Sequence, residues 1–600
     1  MSKAHEEGGD LASSERLAST FLTLGFAPSD DETEIKAEIE PRSYKAALQS
    51  PQASEWKEAM RQEWQALIEN HTFDIVPLQK KATYGAITDM EEPIGCKWIY
   101  KRKTNPNGST RYKARLVIKG YEQKEGIDYD ETYAPVSKMA TFRMLLALAA
   151  QYGWDVDHMD VVTAFLNPRI DRDNIHMEMP LGVDWLVTDE SISNGSVLIL
   201  RKAVYGLKQA PRLWYEDIDG YLQSIGFRQS AEDPNLYIQS GVLLVLYVDD
   251  LLIVHNGIEE NRHRIKQLLQ KKYKMSDLGA AKRFLGIEIK KTEDGEFSIC
   301  QRDYINTIIR RFELMDAKPA KSPLDPHTDL ANTHCEDKPG NRKEYLSIVG
   351  SLMYAALGSR PDITYSVTAL SRYNVQPLEM HITAAKRVLW YLKTTSDFQI
   401  HYRRLSLSPH DTYSIIGCTD SDSAGNLTTR KSVGGCLFGL GRINGSKELV
   451  MSGLIHWQAK SQSVVALSTL EAEYIAASHA TRESLWLKRM LKEAADGIGV
   501  KASDGSVPIG CDNQGAIKLI TSGVVRQKSK HIDVKYHHVH NEQTKGSVKF
   551  QYITSESNPA DLLTKPLAAP GHQQLTRLIA LDSHTDTHTE TNESVSEKGV

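Results

Sequence analysis

At 600 residues and 67.3 kDa the chain is too long for one apolar core, and its length points to roughly three or four domains. Hydrophobic residues make up 40% and charged residues 25%, and 72 Lys and Arg stand against 77 Asp and Glu, so a wholly disordered or uniformly basic protein is excluded. Six cysteines without CxxC pairing, no secretory start and no apolar run long enough for a bilayer exclude a disulfide scaffold and predict a soluble, non-secreted chain with no membrane partner.

Residues 1–40 carry ten acidic and three basic residues and read as a disordered acidic leader. Helical periodicity over 55–70 puts apolar side chains at 56, 60, 64, 67 and 68 on one face. Strands are predicted at 96–101 and 114–119, joined by a turn at 105–108. This segment, 95–124, holds nine Lys or Arg, one acid, and interleaved Trp98, Tyr100, Tyr112 and Tyr121. Such a hairpin suits phosphate contacts and base stacking, with a solvated basic surface as the alternative. Further helices are predicted over 141–152, 211–226, 257–273 and 478–495, and further strands at 196–201, 242–248, 250–255, 414–418, 433–439 and 549–553. Their irregular interleaving indicates α+β and α/β domains. Residues 318–343, rich in Pro, Asp, Asn and Lys, read as a linker, and 571–600 as a disordered tail.

The run GVLLVLYVDDLLIVHNG sets Asp249 and Asp250 between two apolar strands, the pattern of a hairpin with both carboxylates at its tip. Two charges in so apolar a setting need compensation, which a divalent cation supplies, although Asp also serves in plain solvated turns. In WDVDHMDVVTAFLN, Asp160 ends a second alternating run. If it lies beside the pair, three carboxylates can hold two metal ions for nucleotidyl transfer. The stretch KAVYGLKQAPRLWY joins a strand to a helix, where Gly206 and Lys208 are candidates for gripping a template strand or a triphosphate.

The runs CKWIYKRK, RYKARLVIKGYEQKEGIDYDETYAPV, HMDVVTAFLN, YGLKQAPRLWY, LYVDDLLIV and MSDLGAAKRFLGIEI resemble, in family order, the reverse transcriptase of copia-type LTR retrotransposons. The resemblance implies a right-hand polymerase of fingers, palm and thumb over 41–315, with Asp160, Asp249 and Asp250 binding metal. It makes Phe165 the gate against the ribose 2′-hydroxyl and sets Arg115 and Lys113 against the incoming triphosphate. One departure is Pro168, where the family usually has Gly after FLN; Pro fixes φ and removes a donor.

Residues 316–410 would then form a linker and connection region whose basic helices cradle the duplex or merely pack. Four acids follow: Asp420 after a strand, Glu471 opening a helix, Asp512 ending a strand and Asp561 beginning a helix. Singly they read as caps or turn residues. Their order in VALSTLEAEYIA, CDNQGAI, KSKHIDVKYHHV and NPADLLTKPL resembles the RNase H domain of the same elements, a mixed-sheet domain over 411–570. That resemblance makes all four metal ligands. The family's DADWAGD is DSDSAGN here, so Ser423 replaces a Trp and Asp422 is a competing ligand. The His-rich stretch 531–540 lacks cysteines at finger spacing and is not read as zinc.

The expected function is an RNA-directed DNA polymerase with RNase H, copying RNA into DNA and hydrolysing the RNA of the hybrid. It implies Mg²⁺, two per centre, with Mn²⁺ as the alternative, and RNA template, DNA primer, RNA–DNA hybrid and dNTPs as partners beside other Pol and Gag products. The chain would be the C-terminal piece of a Pol polyprotein, expected in cytoplasmic virus-like particles with the nucleus as a second location. The competing reading is an inactive relic that only binds nucleic acid.

Overall fold

The computed structural model describes residues 40–77, 92–104, 109–186, 196–331, 337–405, 413–426, 428–443, 449–523 and 533–583. The leader up to residue 39, the turn 105–108 and the tail from 584 lie outside the described residues.

Helix α1 (Ala53–Glu69) buries Trp56, Met60, Trp64 and Leu67 of the face its periodicity predicts, while Ile68, counted on that face, is exposed. It packs on the antiparallel hairpin β1 (Cys96–Thr104) and β2 (Thr110–Ile118). Trp98 and Tyr100 are buried in that contact, with the Tyr100 ring 5.2 Å from that of Trp56. They serve the core and are not available for base stacking.

Helix α2 (Met139–Tyr152) is buried on nearly every side and ends at Gly153, whose φ of +66 makes a left-handed cap. It leads into β3 (Asp155–Val161). After α3 (Ala210–Ser224) come β4 (Leu236–Gln239), β5 (Val242–Tyr247), β6 (Asp250–His255), α4 (Glu259–Lys272) and β7 (Met275–Ala280). The antiparallel order β7-β3-β6-β5-β4 places β3 beside the hairpin β5–β6. Every residue of β5 is buried, as its unbroken apolar run requires.

Strands β8 (Ile287–Lys291) and β9 (Phe297–Cys300) precede a helical region containing α5 (Arg342–Gly358) and α6 (Glu379–Thr394). The predicted linker is partly built into this region: Ala320 and Leu324 are buried against Ile305, Tyr345 and Ile348. Helices α5 and α6 bury most of their apolar residues there. Strand β10 (Gln399–Tyr402) then joins β8 and β9 in a second antiparallel sheet.

The C-terminal part comprises β11 (Ser414–Ser421), β12 (Val433–Ile443), β13 (Leu449–Ser461), α7 (Thr469–Gly497), β14 (Val507–Cys511), α8 (Asp533–Thr544) and β15 (Val548–Tyr552). Sheet order is β13-β12-β11-β14-β15, antiparallel through β11 and parallel beyond it. Helix α7 begins nine residues before the predicted helix, because residues 471–478 are buried on every side, two glutamates among them, and show no apolar stripe.

The tail expected from 571 onward is corrected for 571–582. Helix α9 (Ala569–Leu578) and β16 (Leu581–Asp582) are folded, and β16 pairs with β10. One apolar core runs from α2 through β5, β9 and β10 into β11–β15 and α7. Arg143 of α2 donates to the carbonyls of Ile455 and Gly358 at 3.2 and 2.8 Å and lies 3.6 Å over the Trp457 ring. The two halves are therefore packed against each other, not strung on a free linker.

Candidate active sites

The first site sits at the tip of the β5–β6 hairpin. Val248 turns the chain with φ of +55, and the Trp214 indole N–H donates to its carbonyl at 2.6 Å. In register, Asp250 pairs with Asp160 of β3 on one side and with Tyr247 on the other. The Val161 N–H donates to the Asp249 carbonyl at 2.8 Å, tying the turn to β3. All three predicted acids therefore meet at one sheet edge. Burial, then the charges of Asp250 and Asp160, push the Asp249 carboxyl up to about 6. Burial and Asp250 also raise Asp160. The three are spread, however: Asp250 Oδ1 is drawn 2.8 Å from His158 Nε2, on the same face of β3 as Asp160.

Arg115 lies 4.4 Å over the ring of Tyr205, and that ring meets Phe165 edge-on at 5.3 Å. Tyr205 in turn feels the charges of Asp249 and Asp160. Lys113 is lowered to about 8 by burial, then by Arg115. Arg115, Tyr205 and Phe165 thus form a continuous wall beside the acids. Nothing in the sequence singled out Tyr205 or His158; each is legible only from its neighbours across elements.

Gly206 and Lys208 both make close contacts within the chain. At Gly206, φ is +100 and an added Cβ would lie 2.2 Å from the Ile118 carbonyl, so the residue permits a close crossing of two backbones. The Lys208 ammonium bonds the Tyr129 hydroxyl at 2.9 Å and the Gln123 carbonyl at 3.4 Å. It clamps a loop. Pro168 is accommodated, its carbonyl accepting from Ala203 N–H at 3.2 Å.

The second site lies where β11 and β14 run parallel. Oxygens of Asp420, Asp512 and Asp561 approach within 4.8 Å of one another, and so do ligand atoms of Glu473, Cys511 and Asp512. Among the described residues these are the two such groupings. Asp420 ends β11, Asp512 follows β14, and Asp561 lies in the short helix Pro559–Leu563.

Glu471 is corrected. It is not in the cluster: Ser468 accepts its N–H at 3.2 Å and its own carboxylate accepts from Leu467 N–H at 2.8 Å, a helix cap. Glu473, two residues on, faces β11, where Asp420 and Asp512 raise its pKa on top of burial. The Ser-x-x-Glu spacing of 468–471 was the sequence signal for this division of labour. Asp422 does not compete either, since it accepts from Val433 N–H at 2.5 Å.

A cation that sequence reading missed stands in this site. Lys565 lies 2.9 Å from Asp561 and 3.7 Å from Asp420, and the Thr564 hydroxyl donates to Asp420. Burial and then Asp420 still raise Asp561. Glu473 Oε2 is buried without a hydrogen-bond partner. Four converging acids with such an orphan oxygen fit a divalent cation. Of the His-rich stretch, 531–532 lie outside the described residues and His540 bonds the Ile520 carbonyl at 2.8 Å.

Fold and sites together define an α/β protein with two acidic centres, one on an antiparallel hairpin and one on a mixed sheet. The profile of the reverse transcriptase (RNA-dependent DNA polymerase) family matches residues 81–326. The Pol polyprotein of the tobacco (Nicotiana tabacum) transposon TNT 1-94 is 36% identical over 571 residues, covering 93% of this chain and 40% of the relative. That of Arabidopsis thaliana transposon RE1 is 35% identical over 91% of this chain and 35% of the relative. A putative Ty5-1 transposon protein of Saccharomyces cerevisiae is 33% identical over its whole length, 54% of this chain. The chain belongs to the copia-type retrotransposon Pol polyproteins. It spans well under half the length of the two plant relatives. An RNase H1 structure solved with an RNA/DNA hybrid aligns to 25% of this chain and 94% of its own at 18% identity and a TM-score of 0.18. Among the described residues no helix is long and apolar enough to cross a membrane.

Proposed function

We propose that the chain is an RNA-directed DNA polymerase with an associated ribonuclease acting on RNA–DNA hybrids, its N-terminal part a right hand and its C-terminal sheet an RNase H-like domain. The observation that carries the first half is the register pairing of Asp250 with Asp160 at the mouth of a buried hairpin whose tip is Asp249. That for the second is the convergence of Asp420, Glu473, Asp512 and Asp561.

Asp160, Asp249 and Asp250 would hold Mg²⁺ at the first centre, and Asp420, Glu473, Asp512 and Asp561 at the second, with Mn²⁺ the alternative. Bound there, divalent metal lowers the pKa of an attacking hydroxyl or water and stabilises the leaving oxygen. The chain's own groups do the rest. Arg115, steadied on Tyr205, meets the triphosphate of a dNTP, and Lys113 adds charge beside it. Phe165, backed by the same ring, fills the space a 2′-hydroxyl needs. A primer 3′-hydroxyl then attacks the α-phosphorus and releases pyrophosphate. At the second centre Lys565 neutralises the carboxylates while no cation is bound and is free to turn to a strand phosphate when one is.

RNA template, DNA primer and hybrid are the substrates of this reading, and other Pol and Gag products its companions in a cytoplasmic particle. Mg²⁺-dependent dTTP incorporation on poly(rA)·oligo(dT) tests it, with Asp249→Asn and Asp250→Asn as controls. Incorporation by the wild-type chain and none by either control is expected. Tight hybrid binding without incorporation would favour the inactive relic.

A further inference from the structure

Strand β3 is paired along both edges, with β6 on one side and β7 on the other. His158 and Asp160 lie two positions apart on it and so share a face. In register Asp160 stands opposite Asp250 and His158 opposite Leu252, which makes Asp250 the diagonal neighbour of His158. A diagonal pair is within reach of a long or aromatic side chain. His158 uses that reach, its Nε2 lying 2.8 Å from Asp250 Oδ1. An ionised carboxylate can only accept, so Nε2 carries the proton and donates.

The imidazole is itself held in place. Its ring meets Phe284 edge-on at 6.1 Å, and the buried Phe284 ring also takes that of Tyr247, at 6.3 Å. Among the described residues Asp250 is the only one of the three acids whose carboxylate bonds another side chain, and its Oδ2 has no partner. The second centre repeats the arrangement: the Thr564 hydroxyl donates to Asp420, and the Ser555 hydroxyl donates to Asp512 at 2.6 Å. A carboxylate with one oxygen tied to a fixed donor and the other left over is oriented before any metal arrives.

We propose that His158 is a positioning residue of the first centre: its Nε2–H fixes the Asp250 side chain so that Oδ2 is left for a divalent cation beside Asp160 and Asp249. The inference rests on the reading of these three acids as a metal centre, and it adds a residue that touches neither metal nor substrate. Imidazole suits the task because, unlike Lys or Arg, it donates without carrying a permanent charge into a site that must accept a cation. Without it Asp250 is free to rotate, and metal binding then has to order the side chain at its own cost. The loss falls on metal affinity, while contacts to primer and template, made elsewhere, are unaffected.

The test is the Mg²⁺ dependence of the melting temperature of the full chain, in an Asp420→Asn, Asp512→Asn background that removes the response of the second centre. His158→Phe keeps a ring against Phe284 and removes the donor, whereas His158→Gln sets an amide N–H where Nε2 stands. The Mg²⁺ concentration giving half the stabilisation should rise about tenfold or more in His158→Phe and stay within about threefold of the reference chain in His158→Gln. With the second centre intact, half-maximal dTTP incorporation on poly(rA)·oligo(dT) should need about tenfold more Mg²⁺ in His158→Phe, with KM for primer–template unchanged. Should His158→Phe not fold, His158→Leu carries the same expectation. A donor-free variant with the midpoint of the reference chain, or His158→Gln shifted as far as His158→Phe, would overturn the inference and leave the metal centre standing. No Mg²⁺ stabilisation of the reference chain, or stabilisation that Asp249→Asn does not reduce, would instead overturn the reading of the three acids, and the inference with it.

Discussion

The two acidic centres manage their charge in opposite ways. At the hairpin tip three carboxylates are spread, Asp250 leaning on His158 at 2.8 Å and Asp249 with no ion pair among the described residues. On the mixed sheet four carboxylates are drawn together, and a resident cation, Lys565, sits 2.9 Å from one of them. The first centre is poised to take charge from outside, while the second carries part of its compensation within the chain. Bringing anions within a few ångströms in a partly buried place requires either a cation or protonation, and burial, then the neighbouring Asp420, raise Asp561 and Glu473 even with the lysine in place.

The comparison is sharpened most by the residue pair in α7. Glu473→Gln should lower hybrid hydrolysis by about 100-fold or more, because it removes a carboxylate from the converging set. Glu471→Gln should leave turnover within about threefold in the same gel assay and lower stability by about 1 kcal/mol, the worth of a cap. The reverse ranking would restore Glu471 as ligand and break the account of the second site.

The next largest effect concerns Lys565. In EDTA, Lys565→Gln should lower the melting temperature by about 2 °C, since the carboxylates lose their internal cation. Added Mg²⁺ should recover most of that loss. At the hairpin the corresponding lever is pH. Burial and the neighbouring carboxylates push the Asp249 carboxyl up to about 6 in the folded chain against an ordinary aspartate value of 3.8, so its charged form is disfavoured by the fold. That penalty is absent below about pH 4, grows as pH rises and is complete above about pH 6. The Mg²⁺-induced rise in melting temperature should therefore be larger at pH 7.5 than at pH 5. Asp249→Asn should raise the EDTA melting temperature at pH 7.5, by about 1–2 °C, and flatten this pH dependence.

The sequence made the hairpin centre legible and blurred the other. Two apolar runs around a double aspartate admit few arrangements; β5 and β6 stand where the strand signals put them, and β3 carries the alternating run that ends at Asp160. Helix α1 was equally plain, its buried face following the 3.6 period. What failed depended on partners far along the chain. Glu471 and Glu473 differ only in which side of α7 meets β11, and the start of α7 was hidden because residues 471–478 are buried on every side and leave no apolar stripe. Strand β16 has two residues and exists only because β10, some 180 positions earlier, offers it an edge. Lys208 looked like an anion ligand until Tyr129 was seen to hold it. Trp98 and Tyr100 looked like stacking platforms until α1 covered them.

The central claim is that one chain carries two separate acidic centres with separate chemistries. Its most direct test is a crossed assay of dTTP incorporation and hybrid hydrolysis on the same preparations of wild type, Asp249→Asn and Asp420→Asn. The account predicts that Asp249→Asn loses incorporation and keeps hydrolysis, and that Asp420→Asn does the reverse. Loss of both activities in either folded variant, or neither activity in the wild-type chain, would contradict it.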